Sequence, residues 1–447
     1  MRAVNPTFEK TATNLQLFGE WRNIAVQTIG MQKIKSFLKN LGPGLLFASM
    51  AIGTSHLVLS TKAGAQYGLF MIVPILLANI FKYPFFEFGV RYTNLTGNSI
   101  IEGYRNRGRR YLWLYAIITL ATSIATPAAL CAVTAGLFMN LFDIENVAIA
   151  NIAICFFAFN SCILILGKYK LMETLLKFLV PILFVALLVT TALVIQKGVS
   201  PPVSTFSAPV LSDQAGILFL ITLVGWMPTA VEASSWLSLW TAEKYRIHEE
   251  RPAFRAALQE FKFGYFITAV LAVCFLWIGY ATLYGSGEAL SNNAVVFADQ
   301  VVQLFTSHIG DWAYAFIAVA AFATMYSSCL TSHDAIARVG LEIVDKLLDK
   351  PKNKLGTKYY ASSVLILAAL SIFVIQLLGA NMGLIIAIAT GVSFLLAPIV
   401  GYMNLKNVMS NELPKKFRPK RGLELFTYAG ICFLSLFAFY YAYVLLR

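Results

Sequence analysis

Apolar residues run through this chain in blocks of roughly twenty, the length that crosses a bilayer core as a helix, with short polar loops between them. About eleven such blocks are predicted as helices, at 43–67, 70–96, 112–141, 146–167, 171–196, 214–240, 263–285, 311–334, 359–379, 382–404 and 424–446. Two of them are interrupted. The first carries Gly53-Thr54-Ser55-His56 inside its apolar run, and the sixth carries Gly225-Trp226-Met227-Pro228. Proline in a helix interior removes a backbone hydrogen bond and crowds the preceding turn, so the sixth block is expected to unwind there. A spanning helix gives up its regular backbone only where protein or a water-filled cavity satisfies the freed groups. Interrupted spans five apart are the pattern of two inverted five-helix repeats with a substrate held between them near the midplane.

The pattern therefore predicts an all-α integral membrane protein in one domain. Residues 1–41 are expected to be a cytoplasmic N-terminal segment, and 42–447 a single transmembrane unit. Within it, 42–200 and 211–405 are the two repeats and 422–447 is an extra helix. Residues 14–38 mix Leu15, Leu17, Phe18, Trp21 and Ile24 with Lys33 and Lys35. They suit an amphipathic segment on the inner membrane surface or a disordered lead, and Met31 is an alternative start. No apolar core with a small-residue cleavage site marks a secretory signal.

Composition agrees with this reading. The chain is 58% hydrophobic and 13% charged, against roughly 25% charged residues in soluble domains, and its mean hydropathy is +0.70. A net charge of +13 invites a nucleic-acid reading until its placement is considered. Alternate loops hold Arg105, Arg107, Arg109 and Arg110, then Lys168 and Lys170, then Lys244, Arg246, Arg251 and Arg255, and further lysines at 346–358 and 406–420. The opposite loops hold Asp143, Glu145, Asp213, Glu288, Asp299 and Asp311. This is the positive-inside asymmetry. It puts the N-terminus in the cytoplasm and, with an odd number of spans, the C-terminus outside. The partners expected are the lipid bilayer and a small molecule or ion, with no nucleic acid; the chain is expected to be monomeric. The six cysteines all lie in apolar blocks without metal-ligand spacing, as small buried hydrophobes do.

Several short strings carry a family likeness. Gly42-Pro43, Ala63-Gly64-Ala65-Gln66-Tyr67-Gly68, Leu77-Ala78-Asn79, Arg91 and Thr96-Gly97, together with Met227-Pro228, resemble the NRAMP family of divalent-metal transporters. The resemblance implies a LeuT-like 5+5 inverted repeat working by alternating access. It also implies a metal site that this chain lacks. The family carries Asp-Pro-Gly-Asn at the first break, where the flanking register places Gly53, Thr54, Ser55 and His56. Its Met-Pro-His at the sixth break is Met227-Pro228-Thr229 here, and a second family histidine falls at Ser234. The third-span acids linked to proton movement fall at Ala121, Ala128 and Cys131.

A divalent cation taken from water needs several oxygen ligands, anionic ones among them, while softer ions favour imidazole or sulfur. Only Met227 and His56 are soft donors at the inferred site, and no carboxylate stands at the metal position. Glu232, about a turn beyond Pro228, is the nearest acid. Intramembrane carboxylates are functional by default, so it reads as a relocated cation ligand, a proton carrier, or a structural partner for a lysine or a helix end. His56 reads as an anion donor or proton-coupling group, or as a structural histidine bonded to a carbonyl. Half-helix N-termini present free N–H groups and partial positive charge. Those near Ser55 and Thr229 would be decorated by Thr54, Ser55, His56, Thr229 and Ser234. Lys62 and Lys82 are expected to reach the interface on their long stems, and Glu87 and Arg91 to pair across one helical turn. Ser327 and Ser328 on the eighth span suit either a sodium site beside the first break or bonds within the helix bundle.

The candidate substrate-binding set is thus Gly53, Thr54, Ser55, His56, Met227, Thr229, Glu232 and Ser234. His56, Glu232, Ser327 and Ser328 are candidates for a coupling ion. The function expected is a secondary active transporter of a small polar or anionic solute, coupled to H+ or Na+. The alternative is a divalent-cation carrier with an altered, partly hydrated site. A third, non-transporting sensor lacks a soluble domain to signal through. No nucleophile–base pair, phosphate loop or metal-ligand motif points to an enzyme, and no cofactor is expected.

Overall fold

A computed structural model describes residues 43–445, apart from 205, 208, 250, 350–358 and 380. The segment expected at 1–41 lies outside the described residues. The first apolar block forms α1 (Pro43–Ala51) and α2 (Thr61–Tyr67), joined through a π-helical turn at Ser55–Ser60. The second is α3 (Ile72–Thr96). A short helix, α4 (Ile100–Arg107), occupies what the pattern leaves as loop. Ser99 begins it, its hydroxyl accepting from the Glu102 amide, as a capping residue does.

The third block is expected as one helix and is two, α5 (Arg109–Ser123) and α6 (Ala125–Leu141). The cause is Pro127, which has no N–H for the Ser123 carbonyl and crowds it. Next come α7 (Ile149–Cys162) and α8 (Lys168–Lys197). The sixth block is split into α9 (Gln214–Trp226) and α10 (Ala233–His248). There follow α11 (Phe254–Leu283), an amphipathic α12 (Ala294–Ile309), α13 (Tyr314–Leu347), α14 (Tyr360–Leu378), α15 (Met382–Val408) and α16 (Arg421–Leu445). Eight helical stretches among the described residues are long and apolar enough to cross a membrane. The two broken blocks and α13 complete the eleven.

The eighth block is expected to stop at 334, yet α13 runs on to Leu347. Ion pairs one turn apart support the extension: Arg338 with Asp334 at 2.8 Å and Lys346 with Glu342 at 3.7 Å. Asp334 is fully buried and also accepts from the Trp240 indole (2.8 Å) and the Tyr360 hydroxyl, tying α10, α13 and α14 together. The expected Glu87–Arg91 pair forms, at 2.6 Å.

Both halves of the first span are locked onto α11. Glu260 accepts from the Gly44 amide at 2.8 Å, one of the orphan donors at the start of α1. Gly64 and Gly279 let α2 and α11 touch backbone to backbone; a Cβ on either would overlap the Leu276 or the Thr61 carbonyl. Small residues serve this purpose between membrane helices. Outward-facing residues on α8, α14 and α16, such as Val185, Phe373, Leu377, Leu436 and Phe439, are exposed and offer the bundle's apolar coat to lipid.

Candidate functional site

The two breaks meet in the middle of this bundle. All residues from 52 to 56 and from 226 to 232 are buried. The first break is narrower than the sequence implies. Only Ile52 and Gly53 leave the helix before Thr54 re-enters it. The Gly53 amide turns back to the Ala51 carbonyl (2.9 Å), and its own carbonyl accepts from the His56 and Leu57 amides (3.1 and 2.9 Å). A π-turn thus takes up most of the slack that four non-helical residues would have left. Gly53 is required at that point, since a Cβ there would lie 2.7 Å from Ser328 Oγ.

His56 is fully buried and its Nε2 lies 2.9 Å from the Thr268 carbonyl on α11. A carbonyl only accepts, so Nε2 carries the proton and Nδ1 is left to accept from Ser55 Oγ, 2.8 Å away. Ser55 Oγ is also 2.8 Å from the Ala51 carbonyl and 3.1 Å from that of Pro228. Its single proton serves one of these three acceptors at a time. Ser55 thereby links the two breaks, and His56 ties the first of them to α11.

The sixth break is the open one. Residues 227–232 lie outside the helices, with a cis peptide between Met227 and Pro228. The next helix resumes only at Ala233. The backbone amides of Thr229, Ala230 and Val231 find no hydrogen-bond partner among the described residues. Five buried side-chain groups on the two breaks and their helices are likewise without a partner: the Ser49, Thr54 and Thr61 hydroxyls, the Trp226 indole N–H and Glu232 Oε2. Buried polar groups are paired as a rule, and each exception calls for an explanation.

Glu232 is 2% exposed, and its other oxygen accepts from Ser393 of α15 at 2.7 Å. At the opposite end of the same break stands Lys82, and here the structure corrects the expectation. Lys82 does not reach the interface. It is fully buried, and its ammonium donates to the Val224 and Gly225 carbonyls at 2.6 and 2.7 Å. Those are the unsatisfied carbonyls of the last turn of α9, where the helix dipole is negative. The signal was present in the sequence: Lys82 sits near the middle of a 25-residue helix, too far from either end for its stem. Lys82 and Glu232 thus stand at the two ends of the break, each held by its own hydrogen bonds. Lys62 does reach a loop, donating to the Ser291 carbonyl (2.9 Å) and Asn292 Oδ1 (2.8 Å).

Met227 is fully buried at the break, and Thr229 is 9% exposed there. Ser234 is drawn away from the other site residues, accepting from Asn404 Nδ2 at 2.8 Å. Ser327 bonds the Thr324 carbonyl of its own helix (2.8 Å), while Ser328 donates to the Ser49 carbonyl of α1 (2.8 Å). The hydroxyl pair is thus divided between two tasks. Among the described residues, no three His, Cys, Asp or Glu side chains cluster as a metal site would require.

A family model described as natural resistance-associated macrophage protein-like (Nramp) matches residues 44–443. The chain belongs to the Nramp family. It is 31% identical over 405 residues to an uncharacterized protein of Pasteurella multocida, with 89% of this chain and 90% of that one covered. Among solved structures, a variant of the Eremococcus coleocola manganese transporter is similar with a TM-score of 0.67 at 14% identity, covering 90% of this chain and 86% of that one. Mhp1, a nucleobase-cation-symport-1 family transporter in a closed conformation with bromovinylhydantoin bound, is similar with a TM-score of 0.57 at 14% identity, covering 89% and 91%. At such identities the likeness speaks for the fold, the LeuT-like arrangement with first and sixth helices broken.

This Nramp chain is therefore a multi-pass membrane transporter of the Nramp type. Its first break, where the family resemblance implies Asp-Pro-Gly-Asn, is filled instead by a glycine, two hydroxyls and a histidine that largely satisfy one another. The groups left unpartnered are the Ser49, Thr54 and Thr61 hydroxyls on the first span, and the Trp226 indole, the amides after Pro228 and Glu232 Oε2 on the sixth. Lys82, Ser393 and Trp226 are absent from the candidate set that the sequence yields.

Proposed function

We propose that this Nramp-type transporter carries a small polar or anionic solute by secondary active, alternating-access transport coupled to H+ or Na+. One observation carries the reading: free N–H groups and the Lys82 ammonium gather along the sixth break, and among the described residues no cluster of carboxylates stands there. The amides of Thr229, Ala230 and Val231, the Trp226 indole N–H and the Thr54 hydroxyl have no partner, and the acceptors left beside them are Glu232 Oε2 and the Ile52, Met227 and Thr229 carbonyls. The third proton of the Lys82 ammonium adds to the donors. A solute rich in hydrogen-bond acceptors satisfies such a set. A dehydrated divalent ion fits less well, because it prefers several anionic oxygen ligands and would find a single carboxylate and a few carbonyls, and the buried ammonium on the same break repels it. Gly53 and Ser55 shape the wall of the site, Thr54, Met227 and Thr229 line it, and His56 and Ser234 brace it. Between the two coupling ions, the direct Ser328–Ser49 bond leaves Ser327 and Ser328 less suited to sodium than Glu232 is to a proton.

The reading also takes residues 42–200 and 211–405 as the moving repeats, with 422–447 peripheral. The N-terminus lies in the cytoplasm and the C-terminus outside, on the strength of the lysines and arginines gathered in alternate loops. One observation favours a second reading. Met227 and the free Glu232 oxygen share the sixth break, and a structural neighbour is a manganese transporter; together they would suit a partly hydrated divalent cation. Uptake into proteoliposomes separates the two. The proposal expects no saturable Mn2+ uptake by the purified protein. Saturable Mn2+ uptake that is lost in Glu232→Gln would overturn it.

A further inference from the structure

Lys82 and Glu232 bracket the sixth break from its two ends, one held by the carbonyls of α9 and the other by Ser393 of α15. Burying a net charge at this depth is expensive, so the pair has to be judged by its sum. Whichever of the two holds the proton, the pair is neutral overall. A monoanion entering between them leaves it one charge negative. One proton taken from water onto the Glu232 carboxylate restores neutrality, with Lys82 left as the counter-ion of the solute. A divalent cation has no such route, because even loss of the Lys82 proton leaves an excess positive charge. We propose that Lys82 and Glu232 form a charge-compensating pair that fixes the coupling at one proton carried with each monoanion, Lys82 holding the anion and Glu232 the proton. This rests on the anionic form of the function proposed above and deepens it.

The titratable groups on the neighbouring elements are committed elsewhere. Tyr265 on α11 donates to the Asn79 carbonyl, Tyr115 on α5 bonds Ser235, and His56 is tethered to Thr268. Glu87 is paired with Arg91, and Glu260 caps α1. The proton step is balanced: the Glu232 carboxylate gains H+ on the side of entry and returns it on the side of exit, with no redox partner.

Two measurements test the pair. In proteoliposomes with an internal pH dye, glycolate, nitrate and inorganic phosphate serve as probes, with protein-free vesicles as background. The carried monoanion should acidify the lumen by one proton per anion and move no net charge. In Glu232→Gln, anion exchange should persist while the acidification is lost and uptake becomes voltage-driven. Anion flux that leaves the lumen pH unmoved in the unaltered protein, or that stays proton-coupled in Glu232→Gln, overturns the pair while leaving the anion reading in place. Mn2+ flux in place of anion flux overturns both.

The second measurement needs no solute. Lys82→Gln and Glu232→Gln each leave an uncompensated charge, so the double variant should unfold at a higher temperature than Lys82→Gln alone. Strictly additive losses overturn the pair.

Discussion

The two helix breaks differ in how much of their polar capacity is spent. At the first, two residues leave the helix, a π-turn recovers the backbone bonds, and Ser55 and His56 are engaged with Ala51, Pro228 and Thr268. At the sixth, residues 227–232 are unwound and three amides, an indole N–H and a carboxylate oxygen are unengaged. Buried polar groups are paired as a rule, so those left unpaired are the candidates for contact with a solute. On the function proposed above, the sixth break presents most of the free N–H groups to the cargo and the first adds the Thr54 hydroxyl. In a family whose resemblance implies ion ligands on both breaks, the change of chemistry at the first has shifted the burden to the other.

The comparison can be broken most forcefully at Lys82. Lys82→Met removes the ammonium that satisfies Val224 and Gly225 and leaves Glu232 without its counter-charge. Breaking one side of a buried charge pair costs about 3–5 kcal/mol. The thermal midpoint in detergent should fall steeply, and anion uptake should vanish even in the fraction that folds. Unaltered stability would mean that the α9 carbonyls need no cation.

Next is Gly53→Ala. The added methyl meets Ser328 Oγ at 2.7 Å, and overpacking of this kind costs about 1–3 kcal/mol. Ser328→Gly in the same chain should return part of the loss. If the first break were open like the sixth, the methyl would be accommodated at no cost.

A third, smaller effect is expected from His56→Gln. Loss of the Thr268 bond in a buried setting costs about 1–3 kcal/mol, measured as a lower unfolding midpoint. Transport should keep its pH profile, because the residue acts as a tether. A profile shifted by this substitution would make His56 a proton carrier and reverse the ranking of the breaks. The smallest change in stability belongs to Thr54→Val. The hydroxyl it removes has no partner, so stability should stay within about 0.5 kcal/mol while solute affinity falls. An unchanged affinity would place the whole site on the sixth break.

Much of the fold was legible because bilayers restrict what a chain can do. Apolar blocks had to be helices, and Gly53 and Pro228 had to interrupt two of them. What hydropathy could not show was how the freed groups would be answered. The π-turn at Ser55–Ser60 depends on tertiary contacts with α11 and Ser328, so the first break looked wider than it is. Lys82 looked like an interface residue because a cation in a span is usually read by its own stem, and not by a carbonyl end that another helix presents. Ser234 fell in the right register but on a face that Asn404 claims. The reach of α13 to Leu347 was written in charges spaced one turn apart, which a search for apolar runs discards.

The most direct measurement places ions in the site itself. Crystals soaked in bromide, an anomalous scatterer and a simple monoanion, should show a peak beside the amides of Thr229, Ala230 and Val231, within reach of Lys82. A parallel Mn2+ soak should leave the breaks empty. A Mn2+ peak held by Glu232 and Met227, with no bromide at the amides, would contradict the account.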